Sequence, residues 1–447
     1  MAVTIFFAKS PHCCCKLLIW YRWPNSMSLS VPYIVLLAKQ REIDELKRLR
    51  SRSQLVGALG HMIHVLQSER GASSIYLASS GKRFEATRLQ LISESESVEK
   101  VLRDVIEDEL SYSSFANAKI ISLMAWVLLG LDALPDLRKR IGKQKPSGSD
   151  AVAAFSRLIA GLISLIFEVA DAAVDPPVSR LLVSLFNLVE GKELAGQERA
   201  IGALAFGSGM CDDALQQQIL QLIDGQERNF RIFMEFAEEP VTTKWHEMDG
   251  MAFVSRLQHF RQVIRNAKPG TALDSGLSDA WFNCCSERIS YMWSIQCDLV
   301  DALQRRCVTL ISEAERDLLN SEGLLQSLRE KPPARADAID RFFDPGLPVE
   351  QSLSFRTTEY EDSHRAHSVI DLLQAQSRHL ANMESELASV KRALNERKII
   401  ERAKGILMAR YHLSEDEAYK KMRTTSMKQN RRLVEIAESV LALASIS

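Results

Sequence analysis

The strongest constraint on the fold of this 447-residue chain is an internal repeat. Residues 69–79 (ERGASSIYLAS) line up with residues 198–208 (ERAIGALAFGS) at an offset of 129. A second pair of segments, around Arg157 and Arg288, agrees at an offset of 131. Two matches at nearly one period indicate a duplicated unit of about 130 residues. Such a unit has room for four helices, so we predict a pair of four-helix bundles.

Composition and patterning favour an all-α chain. Only 20 Gly and 13 Pro interrupt it, and the alternating apolar runs bounded by turns that indicate strands are nearly absent. Long helical patterns fill residues 31–330, with breaks at 146–148, 176–177 and 269–270. We therefore assign residues 31–330 to one helical domain that contains both bundles.

Arg70 and Arg199 occupy equivalent positions of the repeat, each on the apolar side of a predicted helix. Met62 and Leu66 share a face with Arg70, and Phe206 shares one with Arg199. A buried guanidinium is costly unless it is paired. Small neighbours leave space, and guanidinium is a planar fork of donors that keeps its charge, so the two arginines could bind a planar oxyanion. The alternative is a structural salt bridge from each arginine to an acidic residue of another helix.

The segments LQSERGASSIYLASSG and GQERAIGALAFGSG, which carry these arginines, resemble the two halves of the NIT domain, a helical nitrate- and nitrite-sensing module. The resemblance implies that nitrate or nitrite binds between helices, with Arg70 and Arg199 as the first candidates for its contacts. Arg288 and its repeat mate Arg157 stand behind them, and Arg256 competes with Arg288 as a third anion contact. We expect no other cofactor and no metal.

The C-terminal residues 391–447 are basic. Thirteen Lys or Arg against seven Asp or Glu give them a net charge of +6, whereas the whole chain carries −1. A basic segment on an acidic body suggests an output module that meets a polyanion. A helical pattern runs to about Tyr411, and capping boxes predict a second helix from Ser414 and a third from Ser426.

Several residues of this module resemble the ANTAR domain, a three-helix RNA-binding module of bacterial antiterminators. They are Ala403-Lys404-Gly405-Ile406-Leu407-Met408, Ala418-Tyr419, Met422-Arg423, Ser426, Asn430 and Ile436-Ala437. The resemblance implies binding to paired RNA hairpins of a leader transcript, which prevents a terminator from forming. A solvated basic surface on a dimerisation helix is the alternative that charge alone leaves open.

Basic side chains of the module are candidates for contacts to RNA phosphates: Lys398, Lys404, Arg410, Lys421, Arg423, Lys428, Arg431 and Arg432. Tyr411 could stack on an unpaired base. Each of these could equally serve solubility as surface charge. We expect Ala403 and Gly405 to pack rather than to contact RNA.

The two modules are joined by a predicted linker, residues 331–365, and a coiled-coil helix, residues 366–390. Leucines recur every seven residues along this helix and into the next: Leu373, Leu380, Leu387 and Leu394. Such a seam is typical of a parallel dimer, so we expect a homodimer. The alternative is that the seam packs on its own sensor domain.

The first 30 residues read as a disordered or misannotated extension, with the biological start at Met27. They are too interrupted for a secretory signal or a membrane span, and we expect no other span, hence a cytoplasmic protein. Four adjacent residues, His12-Cys13-Cys14-Cys15, cannot easily surround one ion. The other cysteines are expected to be buried free thiols.

The arrangement of both modules resembles the nitrate-responsive transcription antiterminators. It implies that nitrate shifts the protein towards a form that binds leader hairpins. We expect no enzyme, because phosphate-loop, metal and nucleophile motifs are missing from the sequence. The alternative is a helical signalling protein that senses another small anion and binds DNA or a protein partner through its basic tail.

Overall fold

Helices account for the regular structure in the computed structural model. It describes residues 31–112, 118–171, 173, 175–267, 272–330, 369–411, 413, 415–429 and 431–445. Within these residues the only β-type pairing is an isolated bridge between Met210 and Ala272. The predicted all-α class is confirmed. The N-terminal extension, the predicted linker, Met27 and the His12–Cys15 cluster lie outside the described residues.

The first half of the helical domain is a bundle of α1 (Val31–Ala78), α2 (Glu85–Tyr112), α3 (Ala118–Gly142) and α4 (Gly148–Asp171). Here α2 and α4 pack on α1, and α3 packs on α4.

The second half contains α5 (Pro176–Ser208), α6 (Asp213–Phe236), α7 (Val241–Asp249), α8 (Ala252–Asn266), a 3-10 turn (Ser275–Leu277) and α9 (Ser278–Glu330). Here α6 and α9 pack on α5, and α8 packs on α9. Extensive contact between α1 and α9 joins the halves. Two four-helix bundles are therefore confirmed in outline, with the short α7 as an addition.

Local signals explain why α5 begins and ends where it does. Asp175 is its N-cap, and its carboxylate accepts from the backbone N–H of Val178 at 2.9 Å. Two prolines follow at positions where a helix needs no N–H donor. Gly209 ends the helix with φ 69°, a left-handed conformation that glycine adopts without steric cost. The break predicted at residues 176–177 is thus a helix start.

One apolar core runs through both bundles. Met62 and Leu66 on α1, Phe206 on α5 and Trp281 on α9 are completely buried in it. Trp281 also donates its indole N–H to the carbonyl of Arg199 at 3.0 Å. The helices that carry the repeated arginines are therefore held by the core itself, which fixes the positions of their side chains.

The C-terminal module has three helices, α10 (Val369–Tyr411), α11 (Glu415–Gln429) and α12 (Leu433–Ser445). The end of the first helix at Tyr411 is confirmed. Helix α11 begins at Glu415, one residue after Ser414, and Ser414 itself lies outside the described residues. The predicted third start at Ser426 is wrong. Ser426 lies inside α11 and donates its hydroxyl to the carbonyl of Arg431 at 2.6 Å, so it caps no helix start.

The predicted boundary between residues 390 and 391 falls inside the continuous helix α10. Leu394 of the leucine seam and Val390, one helical turn before it, are buried against Val183 of α5 and Phe236 of α6. The described end of the seam therefore packs on its own sensor domain, which was the alternative to a dimer stalk. The side chains of Leu373 and Leu380 lie outside the described residues.

Two helices, α3 and α4, are long and apolar enough to cross a membrane by length and composition. The expectation that no stretch passes this test is wrong. Half of the apolar window of α4 is buried, because this helix packs between α1 and α3. Core helices of soluble bundles commonly have such compositions.

Four of the five described cysteines are buried free thiols, as the sequence predicts, and one is not. Cys211, Cys284, Cys285 and Cys307 are free and buried, and Cys297 is half-buried. Within the part of the chain that the structure describes, no three His, Cys, Asp or Glu side chains are grouped so as to hold a metal ion.

Candidate anion site and nucleic-acid interface

Arg70 lies in a polar layer between α1, α4 and α5 and is 1% exposed. Its guanidinium pairs with both carboxylate oxygens of Glu193 on α5, and Nη1 also donates to Ser156 Oγ at 2.8 Å. The side-chain amide of Gln67 donates to the same carboxylate at 2.8 Å. For Arg70 the structure thus shows the salt-bridge alternative, with a partner 123 residues away in the sequence.

Arg199, the repeat mate of Arg70, is also buried but has a different environment. It donates to Ser286 Oγ at 3.0 Å and to the backbone carbonyl of Gln67 at 3.2 Å, and it lies over the Phe282 ring, 4.8 Å from the centroid. No carboxylate of the described residues forms an ion pair with it, and its Nε is buried without a hydrogen-bond partner. Burial, followed by repulsion from Arg70, lowers the pKa of Arg199 to about 10.

Two glycines allow the arginines to cross between α1 and α5. A Cβ atom at Gly196 of α5 would lie 2.7 Å from Nη2 of Arg70, and one at Gly71 of α1 would lie 2.8 Å from Nη2 of Arg199. Side chains there would displace the guanidinium groups. The small residues that the sequence places beside the arginines therefore make room for the opposite arginine.

Lys192 adds a second cation without an ion pair among the described residues. It is fully buried, donates to Gln296 Oε1 at 2.6 Å and lies 4.7 Å from the centroid of the Trp293 ring. Burial lowers its pKa to about 7. Sequence reasoning missed Lys192, although a lysine in the middle of the apolar run of α5 was a visible signal.

His64 packs against Trp293, the same ring that Lys192 contacts. Its ring is parallel to that of Trp293 at 4.2 Å between centroids. Its Nδ1 is buried and has no hydrogen-bond partner in the described part of the chain. Burial, then the charges of Lys192, His61 and Arg199, lower the pKa of His64 to about 2. The imidazole is therefore neutral and leaves the positive charge of its neighbours uncompensated.

The glutamates that precede the two arginines form two further buried ion pairs, one in each half of the helical domain. Glu69 forms a two-point ion pair with Arg138, at 2.8 Å for both contacts. Glu198 does the same with Arg261, at 2.7 Å for both contacts. Burial opposes the ionisation of Glu198, but the attraction of Arg261 outweighs it, so the pKa of Glu198 stays below its ordinary value. Neither partner arginine was predicted.

The remaining predicted anion contacts lie elsewhere. Arg288 donates to Gln226 Oε1 at 2.8 Å and belongs to the Glu198 layer, where burial and then repulsion from Arg261 lower its pKa to about 10. Arg256 is exposed and pairs with Glu287 at 2.9 Å. Arg157 is exposed. The structure therefore brings Arg70 and Arg199 together and places these three outside their layer.

Two of the predicted RNA contacts face the sensor domain. Lys398 on α10 pairs with Asp171 at the end of α4, and Arg423 on α11 pairs with Asp224 on α6 at 2.6 Å. A third contact near them joins Arg397 to Glu190 of α5 at 3.0 Å. We call these three ion pairs the docking contact.

The other predicted RNA residues are mostly on the surface of the module. The exposed ones are Arg410, Tyr411, Lys421, Lys428, Arg431 and Arg432. The ammonium group of Lys421 lies 4.0 Å from the centroid of the Tyr411 ring. Lys404 is half-buried and pairs with Glu401 at 2.7 Å, and Gly405 is exposed, so the expectation that it packs is wrong.

The core of the module contains many of the residues that carry the ANTAR resemblance. Ala403, Leu407, Ala418, Met422 and Ile436 are buried together, so their spacing reflects packing between three helices. Packing of Ala403, which the sequence predicts, is confirmed.

Comparisons with known proteins agree with both modules. Residues 61–304 match the NIT family, described as nitrate and nitrite sensing, and residues 388–441 match the ANTAR domain. The chain is 30% identical over 427 residues to a nitrate regulatory protein of Klebsiella oxytoca, which covers 94% of this chain and 98% of that protein. It is 32% identical over 72 residues to the transcriptional regulatory protein PdtaR of Mycobacterium tuberculosis, which is 16% of this chain and 35% of PdtaR.

A solved structure, that of the NasR transcription antiterminator, is similar over 93% of this chain and 100% of that chain. The sequence identity is 27% and the TM-score is 0.57. The similarity therefore extends over the sensor domain and the C-terminal module together.

Proposed function

This chain belongs to the family of nitrate- and nitrite-sensing NIT proteins, and we infer that it is a nitrate-responsive regulator that binds hairpin RNA and causes transcription antitermination. Its C-terminal ANTAR module binds the RNA, in the leader of a transcript. The observation that carries this function is the docking contact, because it joins an RNA-binding module to an anion-sensing domain through the basic residues that RNA would need.

Nitrate or nitrite is the ligand that we propose for the polar layer at Arg70 and Arg199. Both ions are small planar oxyanions, which suit the planar, permanently charged guanidinium group. The buried Nε of Arg199, which has no hydrogen-bond partner within the described ranges, supports this choice. A titration of the purified protein with potassium nitrate in a calorimeter tests it, and saturable heat is expected.

The docked arrangement is expected to bind RNA poorly. Lys398 and Arg423 cannot pair with sensor carboxylates and RNA phosphates at the same time. Nitrate that binds better when the module is released would shift the population towards the RNA-binding form. Helix α5 links nitrate binding to release of the module, because Glu190 of the docking contact is one helical turn from Glu193 of the polar layer.

The magnitudes are compatible with a reversible switch. The side chains of the three docking pairs are between 20% and 40% exposed, so each is worth only about 0.2–1 kcal/mol. Together they hold the module with about 1–3 kcal/mol. A hundredfold activation needs about 2.7 kcal/mol of coupling, which is within the usual range for one ligand.

The test is a double variant, Asp171→Asn with Asp224→Asn, measured against a labelled RNA hairpin and duplex DNA of equal length. We expect it to bind the hairpin at least tenfold more tightly than the wild type without nitrate. Asp136→Asn, at an exposed carboxylate away from the docking contact, is the matched control. Unchanged hairpin affinity in the double variant would refute the docking mechanism, and preference for duplex DNA would favour the alternative of a DNA-binding signalling protein.

We further propose that the protein acts as a homodimer in the cytoplasm, where leader transcripts are made, and not in a membrane. The heptad spacing of Leu373 and Leu380 in the sequence supports self-association, whereas Leu394 at the end of the seam packs on the sensor domain. Sedimentation with and without nitrate tests this assembly, and a monomer under both conditions would contradict it.

A further inference from the structure

The contacts of the two polar-layer arginines follow the internal repeat. Arg70 on α1 donates to Ser156 on α4, and Arg199 on α5 donates to Ser286 on α9. The arginines are 129 positions apart and the serines 130. The serines, and not Arg157 and Arg288, are therefore the matched positions of these helices. Each arginine with its serine is one half-site of a duplicated site.

Each half-site is also closed by the other helix at matched positions. Arg70 lies against α5 at Gly196, and Arg199 donates to the backbone carbonyl of Gln67 on α1. Positions 67 and 196 are again 129 apart. The contacts of the two half-sites thus correspond, with the roles of α1 and α5 exchanged, so a position at which the half-sites differ can be identified.

One matched position differs in charge. Glu193 supplies the carboxylate that pairs with Arg70. The position 129 residues before Glu193 is His64, on α1. His64 carries no charge to offer, and the charges of Arg199 and Lys192 both act on it. Among the described residues, the carboxylate of the first half-site therefore has no counterpart in the second.

The second half-site is left with excess positive charge and unpartnered polar atoms. Arg70 and Glu193 neutralise one another, whereas Arg199 and the fully buried Lys192 form no ion pair among the described residues. Arg199 Nε and His64 Nδ1 are both buried and have no hydrogen-bond partner among the residues that the structure describes. Buried charges and polar atoms of this kind are costly unless a partner compensates them. An anion at this place would supply the compensation.

We propose that nitrate binds in the Arg199 half-site and supplies there the negative charge that the Glu193 carboxylate supplies to Arg70. It faces the Nε side of the Arg199 guanidinium, because Nη1 and Nη2 already donate to Ser286 and to the carbonyl of Gln67. Nitrate resembles a carboxylate in being a planar anion with two oxygens able to face one guanidinium edge. Arg199 Nε is its donor, and His64 donates as well when its neutral imidazole carries the proton on Nδ1. Lys192 is its second cation, and Ser286 positions the guanidinium. The Arg70 half-site is permanently filled by the protein's own carboxylate. This inference rests on the proposed nitrate-sensing function and assigns its ligand to one half of the duplicated site.

Matched serine variants test the assignment in the full-length protein. Ser286→Ala and Ser156→Ala remove the same group from the two half-sites. Titration with potassium nitrate is expected to show at least a fivefold loss of affinity for Ser286→Ala and less than a twofold change for Ser156→Ala. Equal effects, or a larger effect of Ser156→Ala, would overturn the assignment.

A second pair of variants replaces the missing carboxylate. His64→Glu places an acidic side chain at the position that matches Glu193, so we expect it to lose nitrate binding by at least tenfold and to bind the RNA hairpin without nitrate. His64→Gln keeps a neutral donor and is expected to retain nitrate binding within about threefold. Wild-type nitrate affinity in a folded His64→Glu variant would overturn the proposal.

Nitrate sensing and the place of the nitrate site can be refuted separately. If the wild type gives no saturable heat with potassium nitrate, the proposed nitrate-sensing function fails, and this assignment fails with it. If the wild type binds nitrate but Ser286→Ala and His64→Glu leave the affinity unchanged, only the Arg199 half-site is refuted. Thermal unfolding of each variant shows whether it is folded, and the two serine variants are mild enough to keep the test decisive.

Discussion

Replacing Lys192 by methionine tests how strongly burial controls the charge of the polar layer. The free lysine has a pKa of 10.5, and burial lowers it to about 7 in the folded protein. The titratable groups around it are Glu193 on α5, His61 and His64 on α1 and Cys297 on α9. Methionine has a similar length and no charge, so the variant removes the titration while it keeps most of the packing.

The sign and size of the effect follow from proton linkage. Between pH 7 and pH 9 the unfolded chain holds the Lys192 proton and the folded protein releases it, so the free energy of unfolding rises with pH. Each pKa unit corresponds to about 1.4 kcal/mol, and a folded pKa of about 7 gives a rise of about 2 kcal/mol over this interval. Below about pH 6 both states hold the proton, and this contribution to the slope vanishes.

The assay is urea unfolding of the wild type and Lys192→Met at pH 6, 7, 8 and 9 without nitrate, followed by tryptophan fluorescence. Trp293 lies under the ammonium group and reports on the site. We expect the wild type to gain about 2 kcal/mol relative to Lys192→Met between pH 7 and pH 9. Lys82→Met, at an exposed lysine, is the control and should follow the wild type. Parallel pH profiles for the wild type and Lys192→Met would refute the lowered pKa of Lys192.

Further predictions concern the same residues and the RNA surface. Glu193→Gln leaves Arg70 without its carboxylate, so calorimetry should find a second nitrate bound per chain; an unchanged stoichiometry would contradict the equivalence of the half-sites. Glu198→Gln leaves Arg261 as an uncompensated buried charge and should lower the free energy of unfolding by about 3–5 kcal/mol in urea titrations. Lys421→Ala removes one exposed phosphate contact beside Tyr411 and should lower the slope of log affinity against log salt by about 0.7–0.9 in RNA-binding assays; an identical slope would exclude Lys421 from the interface.

The sequence determines the local features well, because helix periodicity and the repeat are properties of neighbouring residues. It therefore predicts the two bundles, the helix end at Tyr411 and the inward position of Arg70 and Arg199. It does not predict the third start of the C-terminal module, because the Ser-x-x-Gln pattern at Ser426 also occurs inside a helix. A capping pattern marks a helix start only where its serine has a non-helical backbone conformation.

The partners of the buried charges lie beyond what the sequence can show. Arg70 meets Glu193 and Glu69 meets Arg138 only because the helices are rotated in a particular way within the bundle. The docking pair of Arg423 with Asp224 joins residues 199 positions apart. The difference between Glu193 and His64 was visible in the repeat, but it had no meaning until the structure showed which residues contact the arginines.

The continuity of α10 has a consequence for how such regulators can exchange their parts. Val390 packs on the sensor and Ala403 packs in the C-terminal module, with unbroken helix between them. One added residue would rotate the module by about 100° and move it by about 1.5 Å. A sensor grafted onto this module, by evolution or by design, must therefore preserve the helical phase, which an insertion of about seven residues nearly restores. The number of residues between Val390 and Ala403 is consequently as important for coupling the two modules as the residues that pack at either end.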